Sequence, residues 1–221
     1  MSFLTFSHVL VSEKFISHVI QGEPDEAFGG HISGLSRPGK TEFPSSWSHR
    51  HIVEAINLIL EQPEVVTFSG KRVFLQKNIR GVQIELKLVV TKKGFVPTSC
   101  FPVGGEGVIR NIGVNRCLLK GIKNGKASSM KIMKDTTAMA YELREFLACQ
   151  VSRSRLSFVD SALFAGEPYD AMMTGFALAY DLRLYIPQAI RDEYLTGVKW
   201  NEQEREELNE YFEVIPLERA A

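Results

Sequence analysis

The segment GVQIELKLVV, residues 81–90, puts the tightest constraint on what this chain can fold into. Val82, Ile84, Leu86, Leu88 and Val90 alternate with Gln83, Glu85 and Lys87, and a period of two gathers into one face only on an extended strand. Lys92, Lys93 and Gly94 follow as a hairpin turn into FVPTSCFPV, and KRVFLQKN, residues 71–78, precedes as a second strand. Upstream, Ile52, Ala55, Ile56, Ile59 and Leu60 recur at helical spacing, with Ser48 placed to cap that helix and Pro63 to end it. The expected first half is therefore an α+β domain with a small antiparallel sheet.

The second half has a different period. Met139, Leu143, Phe146 and Leu147 form one helical stripe, Leu156, Val159 and Leu163 a second, and Tyr169, Met172, Met173, Phe176 and Tyr180 a third. Gly166, Pro168 and Pro187 punctuate them, and NEQEREELNEYF adds an acidic last helix. The polar stretch IKNGKASSMKIMKD, residues 122–135, marks the change. The expected organisation is an α+β domain over 1–125, a linker over 126–134 and an all-α helical domain over 135–221. The Met-bearing stripes are assigned to packing.

Charge divides at the same place. Residues 1–129 hold 16 Lys and Arg against 10 Asp and Glu, and residues 130–221 hold 10 against 16, so a net charge of zero conceals halves of +6 and −6. Such asymmetry points to a polyanion-binding module beside something able to shield it. No apolar run approaches the roughly 18 residues of a membrane helix, and the opening MSFLTFSHVLVSEKF lacks the basic and apolar regions of a signal peptide. Cys100, Cys117 and Cys149 are odd in number and include no CxxC pair, so no disulfide framework or zinc site is expected. With reduced cysteines the expected place of action is cytosolic.

The chemistry-bearing stretch is HVIQGEPDEAFGGHISG, residues 18–34, a turn-rich run with His18 and His31 thirteen positions apart. Imidazoles, with an ordinary pKa near ~6.5, occupy both protonation states around neutrality. Two of them suit the base and acid of a phosphodiester cleavage by a neighbouring hydroxyl, each role being worth about 10² to 10⁴ in rate. A lysine would stabilise charge growing on the phosphoryl oxygens. Gly29 and Gly30 permit close backbone approach, with N–H groups able to face an oxyanion. His49 and His51, at the start of a helix, are expected as surface or capping groups, and His8 as structural or exposed.

Taken in order, HVIQGE, GGHISG, KTEFPSSWSHRHIVEAI, GVQIELKLVV and FVPTSCFP resemble the bacterial branch of the EndoU ribonucleases, found as toxin domains of contact-dependent growth inhibition and related polymorphic toxins. The resemblance covers roughly residues 10–105. It implies an EndoU-like fold and a catalytic pair at His18 and His31. The catalytic lysine falls on Lys40, in KTEFP, with Lys77 as the competing choice. The family's closing strand falls on Thr98–Pro102, where Thr98 or Ser99 supplies the substrate-facing hydroxyl. Phe101 stands where a tyrosine is common, so the hydroxyl is missing and a stacking role is left. Gly30 is the expected backbone contact to substrate.

The run LSFVDSALFAGEPYDAMMTGFALAYDLRLYIPQAIRDEYLTG resembles helical immunity proteins of the Maf type, over about residues 138–212. Together the two resemblances imply an endoribonuclease toxin joined to its cognate immunity domain. The toxin would cut cellular RNA, with tRNA the class the resemblance implies, near a uridine without metal or cofactor, leave a 2′,3′-cyclic phosphate, and act in a target-cell cytosol after delivery. His31 is expected as base and His18 as acid, roles that can be exchanged. Met130 and Met133 each offer a start for a separate reading frame, so the junction reads equally as a fusion or as two neighbours. The rival expectation is a catalytically inactive EndoU-like scaffold that serves as a binding module for the helical half.

Overall fold

The computed structural model describes residues 6–24, 28–111 and 135–218, so the expected linker at 126–134 lies outside the described residues. Within them the chain is an α+β mixture of one four-stranded antiparallel sheet, one two-stranded sheet and seven α-helices. The larger sheet runs in sequence order: β2 (Val65–Ser69), β3 (Arg72–Ile79), β4 (Val82–Thr91) and β5 (Gly94–Gly105). Arg80 and Gly81 both have positive φ and join β3 to β4 where Ile79 pairs with Val82, the two-residue turn that matches the natural strand twist. The smaller sheet pairs β1 (Thr41–Glu42) with β6 (Ile109–Arg110).

Alternation along β4 separates the sheet into two faces. Val82, Ile84, Leu86 and Leu88 pack with Val73, Leu75 and Cys100 against α1 (Glu13–Ile20) and α2 (His49–Glu61). Helix α2 buries the expected Ile52, Ala55, Ile56, Ile59 and Leu60, each large side chain worth about 1.5–3 kcal/mol on removal from water. Its Ser48 cap donates its N–H to His51 Nδ1 at 3.1 Å, so His51 is a capping group. Between Lys87 and Leu88 the β4–β5 register shifts, with Lys87 opposite Ser99 and Leu88 opposite Pro97. Thr98 is the unpaired residue of that bulge.

The opposite face of the sheet carries Arg72, Phe74, Glu85, Lys87, Ser99 and Phe101, all buried. What covers them is the helical half: α4 (Ser157–Ala165), α5 (Pro168–Leu182) and α7 (Glu202–Val214), with α3 (Thr136–Ala148) and α6 (Gln188–Gly197) behind. Phe74 stacks on Phe158 with centroids 4.4 Å apart, and Phe101 belongs to the core formed by Leu143, Val159, Met172, Met173 and Phe176. The three expected stripes thus turn inward, and α7 begins with Asn201 and Glu204 capping each other reciprocally. The polar alternates of β4 do not face water: Glu85 and Lys87 are both 0% exposed.

Several elements were not expected. The stretch around His18 is not wholly turn: His18 lies in the last turn of α1, which Ser12 starts by accepting the N–H of Phe15 at 3.1 Å. Strand β2, the β1–β6 pair and helix α6 are others. The small sheet fixes the approach to Lys40, whose carbonyl accepts the N–H of Asn111 at 2.8 Å.

Candidate active site

The double glycine brings the two histidines together. Gly29 (φ +59°) and Gly30 (φ +82°) turn the chain back onto the end of α1, where Gly30 N–H donates to the His18 carbonyl at 3.0 Å and His31 N–H to that of Val19 at 2.8 Å. A Cβ at position 29 would stand 2.0 Å from the His18 carbonyl oxygen, so no side chain fits. Arg37 ties the same turn down by donating to the carbonyls of Gln21 (2.8 Å) and Glu23 (2.9 Å). Glu42, buried, accepts the N–H groups of Gly34 (2.8 Å) and Ser36 (2.6 Å) and braces the loop that leads to Lys40.

His31 and Lys40 are each 1% exposed and meet at a carboxylate that the sequence reading did not place here. Glu167 Oε1 accepts from His31 Nε2 at 2.8 Å, from Lys40 Nζ at 2.5 Å and from the Gly29 N–H at 3.1 Å. Glu167 is 3% exposed and sits at the N-terminal end of α5, in the acidic half, 136 residues along the chain from His31. Gly166 makes the approach possible. It closes α4 at φ +79°, and a Cβ there would stand 2.5 Å from the Gly39 carbonyl oxygen.

The electrostatics follow from this packing. Burial pushes the Glu167 carboxyl up, but Lys40 and His31 outweigh it and hold it at about 2. Burial lowers the Lys40 ammonium from its ordinary value, with Glu167 pulling in the opposite direction. His18 is lowered as well, chiefly by burial; Glu167 and Glu23 raise it, while His31 and Lys40 lower it. His18 thus shares its field with the other three groups, and its Nδ1 stands 3.6 Å from Glu23 Oε1. His31 Nδ1 lies 2.7 Å from the Thr41 carbonyl oxygen. That oxygen can only accept, so Nδ1 carries a proton, and Nε2 is the nitrogen turned toward the site.

The remaining expected residues fall into place unevenly. Phe101 is fully buried, its ring centroid 5.8 Å from that of His31, and forms a wall of the site. Ser99 lies on the same face and donates to Asp170 Oδ2 at 3.3 Å, whereas Thr98, in the bulge, donates to the Lys87 carbonyl at 3.3 Å within the sheet. Lys77 is directed elsewhere, donating to the Gln62 carbonyl at 2.6 Å, so Lys40 is the lysine that stands beside the histidines. Gly30 lies in the same turn. Its N–H is engaged by the His18 carbonyl, and the backbone donor that faces the anion belongs to Gly29.

Further cations of the basic half meet carboxylates of the acidic half beyond this point. Arg72 grips Glu207 through Nε (3.0 Å) and Nη2 (3.1 Å), and Lys87 Nζ lies 2.7 Å from Asp170 Oδ2. Lys71 pairs with Glu210 near the surface. Glu167, Asp170, Arg72 and Lys87 are what the sequence reading missed. The one signal available for Glu167 was the Gly166-Glu167-Pro168 turn between two helices.

Among the described residues no three His, Cys, Asp or Glu side chains are grouped to hold a metal ion, and no helix is long and apolar enough to cross a membrane. No protein-family model, curated protein or solved structure matches this chain.

Proposed function

We propose that this chain is an EndoU-like endoribonuclease joined to its own inhibitor, with residues 1–125 carrying the cleavage site and residues 135–221 closing it. The observation that carries this reading is the single oxygen of Glu167 held by an imidazole, an ammonium and a backbone N–H. An ammonium and a backbone N–H converging on one anionic oxygen in a dry site, with an imidazole nitrogen against the same position, are what phosphodiester cleavage requires for the phosphoryl charge and for a base beside it. The anion seated there comes from the half whose sequence resembles an immunity protein.

With Glu167 withdrawn, each group has a task. His31 Nε2 releases to solvent the proton it shares with Glu167 in the closed chain, keeps Nδ1–H on the Thr41 carbonyl, and then takes the proton of the ribose 2′-hydroxyl. The resulting 2′-oxygen attacks the adjacent phosphorus, and the bond to the 5′-oxygen breaks. His18, entering as imidazolium, gives its proton to that leaving oxygen, and the product ends in a 2′,3′-cyclic phosphate. Lys40 Nζ and the Gly29 N–H carry the charge on the phosphoryl oxygens, while Phe101 offers a stacking surface for the base. Cellular RNA, tRNA among its classes, is the proposed substrate and the target cytosol the proposed place of action. Opposite charge on the halves speeds and orients docking. A short linker supplies a local concentration of about millimolar, so the intact chain rests largely closed.

The test replaces the three interface carboxylates, Glu167, Asp170 and Glu207, by alanine in the full chain and incubates it with total RNA in chelator. Cleavage that disappears on adding His31→Ala supports the reading. A folded but inert triple variant refutes it and favours the inactive scaffold bound by the helical half.

A further inference from the structure

The sheet face under the helices holds a second anion position that the cleavage chemistry does not use. Asp170 is reached by three donors from three strands: Lys87 Nζ on β4 at 2.7 Å, Ser99 Oγ on β5 at 3.3 Å and Arg72 Nη1 on β3 at 3.5 Å. The pattern repeats that of Glu167. Both anions stand on the start of α5, at i and i+3, which separates their Cβ atoms by about 5–6 Å, a step comparable to that between successive charges on a nucleic-acid strand. Arg72 then extends the row, its fork closing on Glu207 in the bidentate geometry that serves carboxylate and phosphate alike. Phe101 lies between the two positions, 5.8 Å from the His31 ring and with Lys87 Nζ 5.3 Å from its own centroid.

Charge makes the same point. Arg72 and Lys87 are 4% and 0% exposed, and among the described residues of the basic half the carboxylate paired with them is Glu85, whose Oε1 is 3.3 Å from Lys87 Nζ. Burying two such cations is costly, and apolar side chains of similar volume would hold two domains together at least as well. A face that must lie open to a polyanion when the helices leave has a reason to keep them.

We infer that Arg72, Lys87 and Ser99 form a binding subsite for the phosphodiester adjoining the scissile one, on a single-stranded RNA that crosses the sheet from Lys40 toward β3. Asp170 and Glu207 fill that subsite in the closed chain, so the acidic half imitates a run of phosphates. The inference rests on the Lys40 centre being the RNA-cleaving site.

The experiment uses the full chain with Glu167, Asp170 and Glu207 replaced by alanine. Binding is read by fluorescence anisotropy against a hexanucleotide with one 2′-deoxyuridine, which cannot be cut, and against the corresponding dinucleotide. The parent should hold the hexanucleotide about tenfold or more tighter. Adding Arg72→Ala and Lys87→Met should reduce that advantage below about threefold and lower the slope of log affinity against log salt by about 0.7, the share of one single-strand phosphate. An unchanged ratio with an unchanged slope overturns the subsite. RNA cleavage by the parent is scored separately: a chain that binds with this length dependence but cuts nothing keeps the subsite and loses the nuclease.

If the triple variant has no cooperative melt, the chain with native carboxylates is given a protease site within 126–134, nicked, and titrated with the same two oligonucleotides. Displacement of the helical fragment by the hexanucleotide at a concentration tenfold lower than the dinucleotide supports the proposal, and midpoints within threefold of each other overturn it.

Discussion

Replacing Glu167 by alanine removes the anion that His31 and Lys40 share. Both groups are 1% exposed and would lose the carboxylate oxygen that accepts from them. Breaking a buried ion pair in this way costs about 3–5 kcal/mol, because a buried charge loses its compensating anion. On the proposed reading the cost falls on the closed arrangement alone, since an open one would solvate both groups. At about 1.4 kcal/mol per decade, the open population should rise by on the order of 10² to 10³-fold. The initial rate of cleavage of a uridine-containing fluorogenic oligonucleotide should rise in proportion until the chain is mostly open. Thermal melting should fall by about 6–20 °C, given a dependence of about 2–4 °C per kcal/mol for a chain of this size. Glu167→Gln keeps the shape and one acceptor and should lie between alanine and the native residue. A lowered melting temperature with no gain in cleavage refutes the plug, and loss of a cleavage present in the native chain would make Glu167 a catalytic group instead.

Three further outcomes follow from particular contacts. Gly166→Ala places a Cβ 2.5 Å from the Gly39 carbonyl in a backbone with φ +79°, at a cost of about 1–3 kcal/mol, so circular-dichroism melting should drop by several degrees while RNA cleavage increases. Gly29→Ala drives a Cβ to 2.0 Å from the His18 carbonyl; in a chain already opened at Glu167 it should abolish cleavage while far-ultraviolet dichroism is retained, and retained activity would remove the turn from the site. The Glu167 carboxyl titrates near 2 in the folded chain against an ordinary 4.5, so its contribution to stability is complete above about pH 5 and fades as pH falls through 2. Denaturant titration of native and Glu167→Gln chains should therefore show their stability gap closing across that window, and a constant gap contradicts the pairing.

Period and turn chemistry made much of the first half legible. The alternation in β4, the apolar row of α2 and the Lys92–Gly94 turn are local properties, and each formed where the residues placed it. Strand β2 and helix α1 are short, five and eight residues, and their signals were weak beside their neighbours. His18 and His31 were marked in the sequence by residue type and by the Gly29–Gly30 pair, and Lys40 by the resemblance. The choice between Thr98 and Ser99 was not legible, since it depends on a bulge that only the partner strand defines. Glu167 lay beyond reach for a different reason. Its partners are 127 and 136 residues away, and nothing in the local pattern of α4 and α5 distinguishes a carboxylate that caps a helix from one that enters a site. The burial of Glu85 and Lys87 escaped notice likewise, because alternating charge on a strand reads as a wet face until helices lie over it.

The measurement that bears most directly on the central claim is the chemistry of the cut end. Oligonucleotides differing only in a 2′-hydroxyl or 2′-hydrogen at the single uridine are incubated with the chain opened at Glu167, Asp170 and Glu207, and the fragments are weighed by mass spectrometry. Two imidazoles working on a ribose phosphate predict a 2′,3′-cyclic phosphate from the ribo-uridine and no fragment from the deoxy form. Equal cleavage of both would contradict that account.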